Sequence, residues 1–454
     1  MARGRLLVLC ALQALVGPVI ACGAADVPAG PRTPAPHRTQ RARAEARASS
    51  CIGAEAVTAV SHCPEHLRGK GRGRPASAQG PRGPGAVGPT SPFDRADCSA
   101  AARIEGPSPS LWQQGDDACA ARALTLHCRL GSREPDRGLE DLQDGLAGMD
   151  RFVADVHPAR VERECRRQMA VVALEAASRW HRMLLSMDDD DPALAPYLAA
   201  ARGAYEAMLS RFPDLDSLEV GLGDEAATRH TLQHLLAEVL WTTRDWAECG
   251  PAFDRVVDSD PAGDHSVEAA YAAVLCRMRL YEDRGVRRPE DLEESGDGSW
   301  SPRAEKLSQE ERDARELERL RPRALTESEK GMLHAFDRYV CLVPASDELV
   351  AVKYRRARIH YVANHWEEAA VLFREIAYEH SDDDLARYGA NLYLDCLNQI
   401  SRLDRARTAT CRDEMAGAVE DFLGNRGLMR DAELAEQLAE LRRELARRRA
   451  EAMP

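Results

Sequence analysis

The stretch VAVKYRRARIHYVANHWEEAAVLFREIAYEHSDDD, residues 350–384, decides the fold, because its pattern stands 120 positions earlier as HTLQHLLAEVLWTTRDWAECGPAFDRVVDSDPAGD, residues 230–264. Trp246, Cys249, Phe253, Val256 and Pro261 have the spacing of Trp366, Ala369, Phe373, Ile376 and Ser381. Upstream, Ala237 and Leu240 fall in step with Ala357 and His360. Similarity at a fixed offset is the mark of a repeat architecture. Apolar residues at three- and four-residue spacing predict two amphipathic helices joined by a short turn in each copy. The small residues fall where such helices cross and permit close approach, and the aromatic residues fill the space beside them.

Weaker copies flank these two. Ala201, Tyr205, Met208 and Pro213 fit the second helix of an earlier unit whose first helix holds Ala177 and Trp180, with an acidic turn of Met187, four Asp and Pro192 between them. Met332, Phe336, Tyr339 and Pro344 fit another second helix, far from its natural first helix around Ala273 and Cys276. The intervening residues 285–325 are rich in Glu, Arg, Asp and Ser and read as a mobile charged insert. A fifth unit starts near Asp383 with Ala390 and Tyr393, and has a weak second helix near Met415 to Leu423. Leu434, Leu438, Leu441 and Leu445 form one apolar stripe, which reads as a capping helix within residues 428–454, with a coiled-coil seam as the alternative.

This set of positions resembles the tetratricopeptide repeat (TPR), a pair of antiparallel helices. Lys353 to Asp384 is most similar to the TPR lipoproteins of bacterial outer membranes, among them the lipoprotein subunit of the β-barrel assembly machine and gliding-motility envelope proteins. The resemblance implies an all-α, right-handed α-solenoid with repeats over residues 159–284 and 326–427. It implies a concave groove lined by the first helices, where a partner helix or extended peptide lies. Carried over by position, that groove includes Thr231, His234, Glu238, Trp241 and Thr242, then Ala351, Tyr354, Arg358, Tyr361 and Val362, then Arg387, Asn391, Leu394 and Asp395. Trp241, Tyr354, Arg358, Tyr361 and Arg387 stand out, since aromatic and Arg side chains supply much of the energy of protein interfaces. The repeat core would comprise Ala237, Trp246, Phe253, Pro261, Ala357, Trp366, Ala369 and Phe373. The implied function is a cell-envelope scaffold that binds protein partners without chemistry.

Composition agrees with helices. Of 454 residues only 7 are Phe and 10 Tyr, which disfavours an all-β or polytopic membrane fold. The 61 basic against 74 acidic residues leave a net charge of -13, against general nucleic-acid binding and in favour of a basic partner.

The N-terminus reads as a signal. Arg3 and Arg5 precede an apolar run from Leu6 to Ile20 that is too short and too interrupted for a transmembrane helix. Val19-Ile20-Ala21-Cys22 looks like a lipobox, which implies a lipid on Cys22 after removal of the signal and sorting to the outer membrane, facing the periplasm. Ordinary cleavage after Ala25 and a soluble exported product is the alternative. Residues 23–98 are rich in Pro, Gly, Ala and Arg, with eleven basic against six acidic residues, and read as a disordered basic tether. A helical segment, residues 99–158, follows it.

Motifs for enzyme chemistry are missing. The sequence holds no Cys-x-x-Cys pair, phosphate loop or nucleophile elbow, so neither an enzyme nor a cofactor nor a small-molecule substrate is expected. His230, His234 and Glu238 are spaced four apart on one helical face, which makes a metal-dependent envelope enzyme the runner-up. Thr231 nevertheless stands where a helical zinc protease carries its general base, so no metal is assigned. Thirteen cysteines accompany the signal, and an exported chain meets an oxidising compartment. Cys249, Cys276 and Cys396 fall at helix-packing positions that suit buried free thiols. Cys119 with Cys128 is one candidate pair; spacing alone does not fix connectivity.

Overall fold

The computed structural model describes residues 51–61, 63–68, 98, 118–155, 157–188, 191–222, 225–283, 308–343 and 345–451. These are almost entirely helical: α1 (Ala54–Ser61), α2 (Ala118–Ser132), α3 (Pro135–Ala154), α4 (Ala159–Ser186), α5 (Leu194–Arg211), α6 (Arg229–Thr242), α7 (Trp246–Ser259), α8 (Ser266–Asp283), α9 (Gln309–Arg319), α10 (Glu327–Leu342), α11 (Leu349–Val362), α12 (Trp366–Glu379), α13 (Ala386–Leu403), α14 (Thr408–Leu423) and α15 (Ala432–Glu451). One antiparallel pair of two-residue strands, Gly221–Leu222 and Glu225–Ala226, precedes α6. None of the described helices is long and apolar enough to cross a membrane.

The described residues divide into two compact units, one within Gly71–Arg277 and one joining Met278–Pro454 to the described part of Pro18–Lys70. The helices of the two repeat in register. Helices α6, α7 and α8 begin at 229, 246 and 266 and end at 242, 259 and 283; α11, α12 and α13 begin and end 120 residues later in every case. Even the turns match. Arg244 and Asn364, also 120 apart, are left-handed at φ 58° and 61°. The next amide in each turn, that of Asp245 or His365, donates back to Leu240 or His360 at 3.1 and 2.9 Å.

Packing follows the small-residue rule. Ala237, Cys249, Ala357, Ala369 and Phe373 are fully buried, and Phe253 and Trp366 nearly so. Trp246 and Pro261 are only half-buried. In the first unit the α2–α5 layer closes around Trp180 and Tyr205, and Gly138 on α3 lies so close to Trp180 that a Cβ would meet its ring at 2.8 Å. Thr326 and Ser308 start α10 and α9 with capping boxes completed by Glu329 and Glu311.

The expected tether is corrected in part. Residues 51–61 hold helix α1 and residues 63–68 a turn, with Cys51 and Leu67 fully buried. Average composition over 23–98 concealed this because the segment cannot fold alone; it is held by disulfides Cys51–Cys411 and Cys63–Cys341. Glu367 accepts a hydrogen bond from the Gly53 amide at 2.5 Å and pairs with Arg407 at 2.7 Å, and buried Arg356 donates to the Val60 carbonyl at 2.6 Å. The signal, Cys22 and most of the tether lie outside the described residues.

The expected mobile insert is likewise corrected from residue 308 onward. Helix α9 and the chain after it dock on the α11–α12 turn: Asn364 donates to the Arg319 and Arg321 carbonyls at 2.6 and 3.0 Å, and Trp366 to that of Leu320 at 2.7 Å. Trp300 and its neighbours lie outside the described residues.

The cysteine expectations are corrected too. Cys249 and Cys276 are bonded to each other, Cys119 bonds Cys165, and Cys128 bonds Cys98; Cys396 is the one described free thiol, and it is buried. Helix packing places Cys119 against α4 rather than across its own helix from Cys128.

Candidate functional site

The groove positions of the second unit lie on α11 and α13. Tyr354 is half-buried, with its ring 5.8 Å from Phe373 and 6.4 Å from Tyr388. Tyr388 is 43% exposed, and the Arg387 guanidinium lies 4.6 Å over its ring. This Arg387 also pairs with Asp431 at 2.7 Å, while Asn391 on the next turn donates to Gln437 at 3.3 Å. One half of the face is therefore tied to the start of α15.

Arg358 and Tyr361 are more deeply placed. Arg358 is buried and its guanidinium lies 5.2 Å over the Tyr361 ring. The Tyr361 hydroxyl donates to Asp395 at 2.6 Å, and burial, then that carboxylate, raises its pKa. Their polar atoms serve packing between helices, so the part of this face open to a partner is Tyr354, Arg387, Tyr388 and Asn391. Tyr388 escaped the sequence reading because it falls one residue beyond Arg387, outside the positions carried over from the family. Its neighbours across the helix pair reveal it.

In the first unit the corresponding positions carry different chemistry. Trp241 is half-buried with its ring 5.1 Å from Trp246. His234 and Glu238 are both 4% exposed, not open to a peptide. The three-residue face of His230, His234 and Glu238 is not brought to one point: the Nδ1 of His230 meets Ser259 Oγ at 3.0 Å and its ring stacks on His265 at 5.8 Å between centroids. His234 and Glu238 do meet, with Nε2 to Oε1 at 3.5 Å. Burial raises the Glu238 pKa to about 8 and lowers that of His234.

A shallow cavity of about 380 Å³ lies at the α12–α13 turn, lined by Val350, Glu379, His380, Ser381, Asp382 and Asp383. Its His380 is met by the buried Lys353 at 3.0 Å, which also pairs with Glu375 at 2.5 Å.

No family model matches this sequence, and no curated protein is similar to it. The geometry of the two units is thus the ground for a functional reading.

Proposed function

We propose that the chain is a cell-envelope protein-interaction scaffold of TPR type, in which each unit's hairpins stack as in a right-handed solenoid and first-helix side chains receive a partner helix or extended peptide. The observation that carries this reading is the exposed Tyr388 with Arg387 across its ring and Tyr354 beside it. Tyr presents a large, rigid ring with few rotamers to lose and Arg a planar fork of donors, the residue types enriched in binding hot spots. The net charge of -13 favours a partner with basic residues.

Export is supported by five disulfides among the described residues, since such bonds persist in oxidising compartments. We place the protein at the outer membrane by a lipid on Cys22, or free in the periplasm where cleavage follows Ala25 instead. Recognition rather than catalysis is the proposed activity, and assembly of outer-membrane or gliding machinery is its candidate setting.

The test is cross-linking and affinity purification from envelope fractions, comparing the native chain with a Tyr354→Ala, Arg387→Ala, Tyr388→Ala variant. Arg358 and Tyr361 are left intact because they hold α11 to α13. Selective loss of the same few proteins supports the scaffold; an unchanged set of partners removes this face from the function.

A further inference from the structure

A separate cluster in the first unit points to a metal. His265, in the turn before α8, and Glu268, in the first turn of α8, lie against His234 on α6. One ligand atom of each of the three lies within 4.8 Å of the others. The rings of His234 and His265 are stacked, 11° apart in plane and 4.2 Å between centroids, so one of them must turn for both to offer an in-plane nitrogen to a single ion.

Two buried groups beside this cluster lack hydrogen-bond partners. His234 Nε2 faces Glu238 at 3.5 Å, which leaves its Nδ1, a buried atom with no hydrogen-bond partner. Glu238 is also buried, and neither of its carboxylate oxygens accepts a hydrogen bond. Leaving such groups unsatisfied in the interior is destabilising. The fold does not demand them. The residues 120 positions later are Tyr354 for His234, Arg358 for Glu238, Leu385 for His265 and Tyr388 for Glu268, so the same helix pair packs without any of these imidazoles or carboxylates.

Two imidazoles and a carboxylate are the donor set that zinc and its neighbours in the first transition row accept, and a ligating His commonly donates its other ring N–H to a carboxylate. We propose that His234, His265 and Glu268 bind one divalent ion of the zinc class through Nδ1 of His234, with Glu238, 3.5 Å from Nε2, drawn in to accept a hydrogen bond from that N–H when the ion binds. Three protein donors leave a further coordination position for water or for a carboxylate or imidazole of a partner. This inference stands independently of the protein-binding reading, since it uses the other unit.

The test uses the full chain with its disulfides formed, stripped with a chelator, dialysed and titrated with zinc chloride by calorimetry, with bound zinc counted by mass spectrometry. The wild type is expected to hold about one equivalent. His265→Ala and Glu268→Gln should lose that equivalent, Glu238→Gln should weaken it about tenfold or more, and His230→Ala should leave it unchanged. Glu268→Gln is near-isosteric at a half-buried position, so the test survives if His265→Ala fails to fold. Zinc well below one equivalent in the wild type overturns the proposal. So does undiminished binding in Glu268→Gln.

Discussion

Cys396 lies 120 residues after Cys276, and the residue standing 120 after Cys276's disulfide partner, Cys249, is Ala369. The lone thiol is thus one half of a disulfide site whose other half is Ala. Both Ala369 and Cys396 are fully buried, on α12 and α13. The variant Ala369→Cys should form a 369–396 bond between α12 and α13, the counterparts of the helices that Cys249 and Cys276 bridge. A loop of this length predicts stabilisation of about 3.5 kcal/mol. Thiol titration in denaturant and non-reducing peptide mapping check it: two free thiols instead of one bond would show that α12 and α13 do not approach as α7 and α8 do.

The pairing of Cys51 with Cys411 should decide whether α1 stays in place. The double variant Cys51→Ser, Cys411→Ser is expected to lose about 2–5 kcal/mol. Amide exchange in residues 54–61 should rise more than in α12, against which the helix packs. Equal protection of α1 in both proteins would mean that the Cys63–Cys341 bond with Glu367, Arg407 and Arg356 holds it without the Cys51–Cys411 link.

His360 makes stability depend on pH. Burial first, then the charges of Arg356 and His365, lower its pKa from 6.5 to about 4, and its Nδ1 is buried without a hydrogen-bond partner. The unfolded chain therefore binds this proton at higher pH than the native one. Its contribution is complete above about pH 6.5 and is lost as the pH falls through that interval to about 4, by on the order of 3 kcal/mol. The first unit has Leu240 at the corresponding place. His360→Leu should flatten the fall in thermal midpoint between pH 7 and 5; an unaltered slope would assign it to other groups.

Asn364 combines a left-handed backbone with two hydrogen bonds to the α9 end. Gly tolerates φ 61° without strain, so Asn364→Gly isolates the side chain. Loss of both bonds should raise amide exchange and proteolytic cutting in residues 309–321 while α11 and α12 keep their protection. Unchanged exchange there would show that the Trp366 bond to Leu320, the His365 contact with the Arg323 carbonyl and the Arg402–Glu316 pair suffice to hold the segment.

The helices were legible because Trp246/Trp366, Phe253/Phe373 and Ala237/Ala357 report a local period that a single chain carries in full. Residues 51–68 were not, since the order of that short segment comes from partners some three hundred positions away, and composition averaged over its Pro- and Gly-rich flanks points the other way. The exposure of individual side chains was less legible. Position within a repeat put Tyr354 on α11 and Arg387 on α13, but whether a side chain such as Arg358 meets solvent or a neighbouring ring depends on packing that spacing does not encode. His265 and Glu268 were missed for a similar reason: they sit on a different element from His234, and only the α6–α8 approach brings them to it.

The bonds Cys51–Cys411 and Cys63–Cys341 close the chain into a covalent ring that encloses everything between them in sequence. A single protease cut anywhere from residue 64 to residue 340 would leave two fragments that still travel as one molecule. Such a nicked protein would show its full mass until a reductant opened both links, so cleavage of the insert would separate nothing and would release neither unit from whatever holds the other.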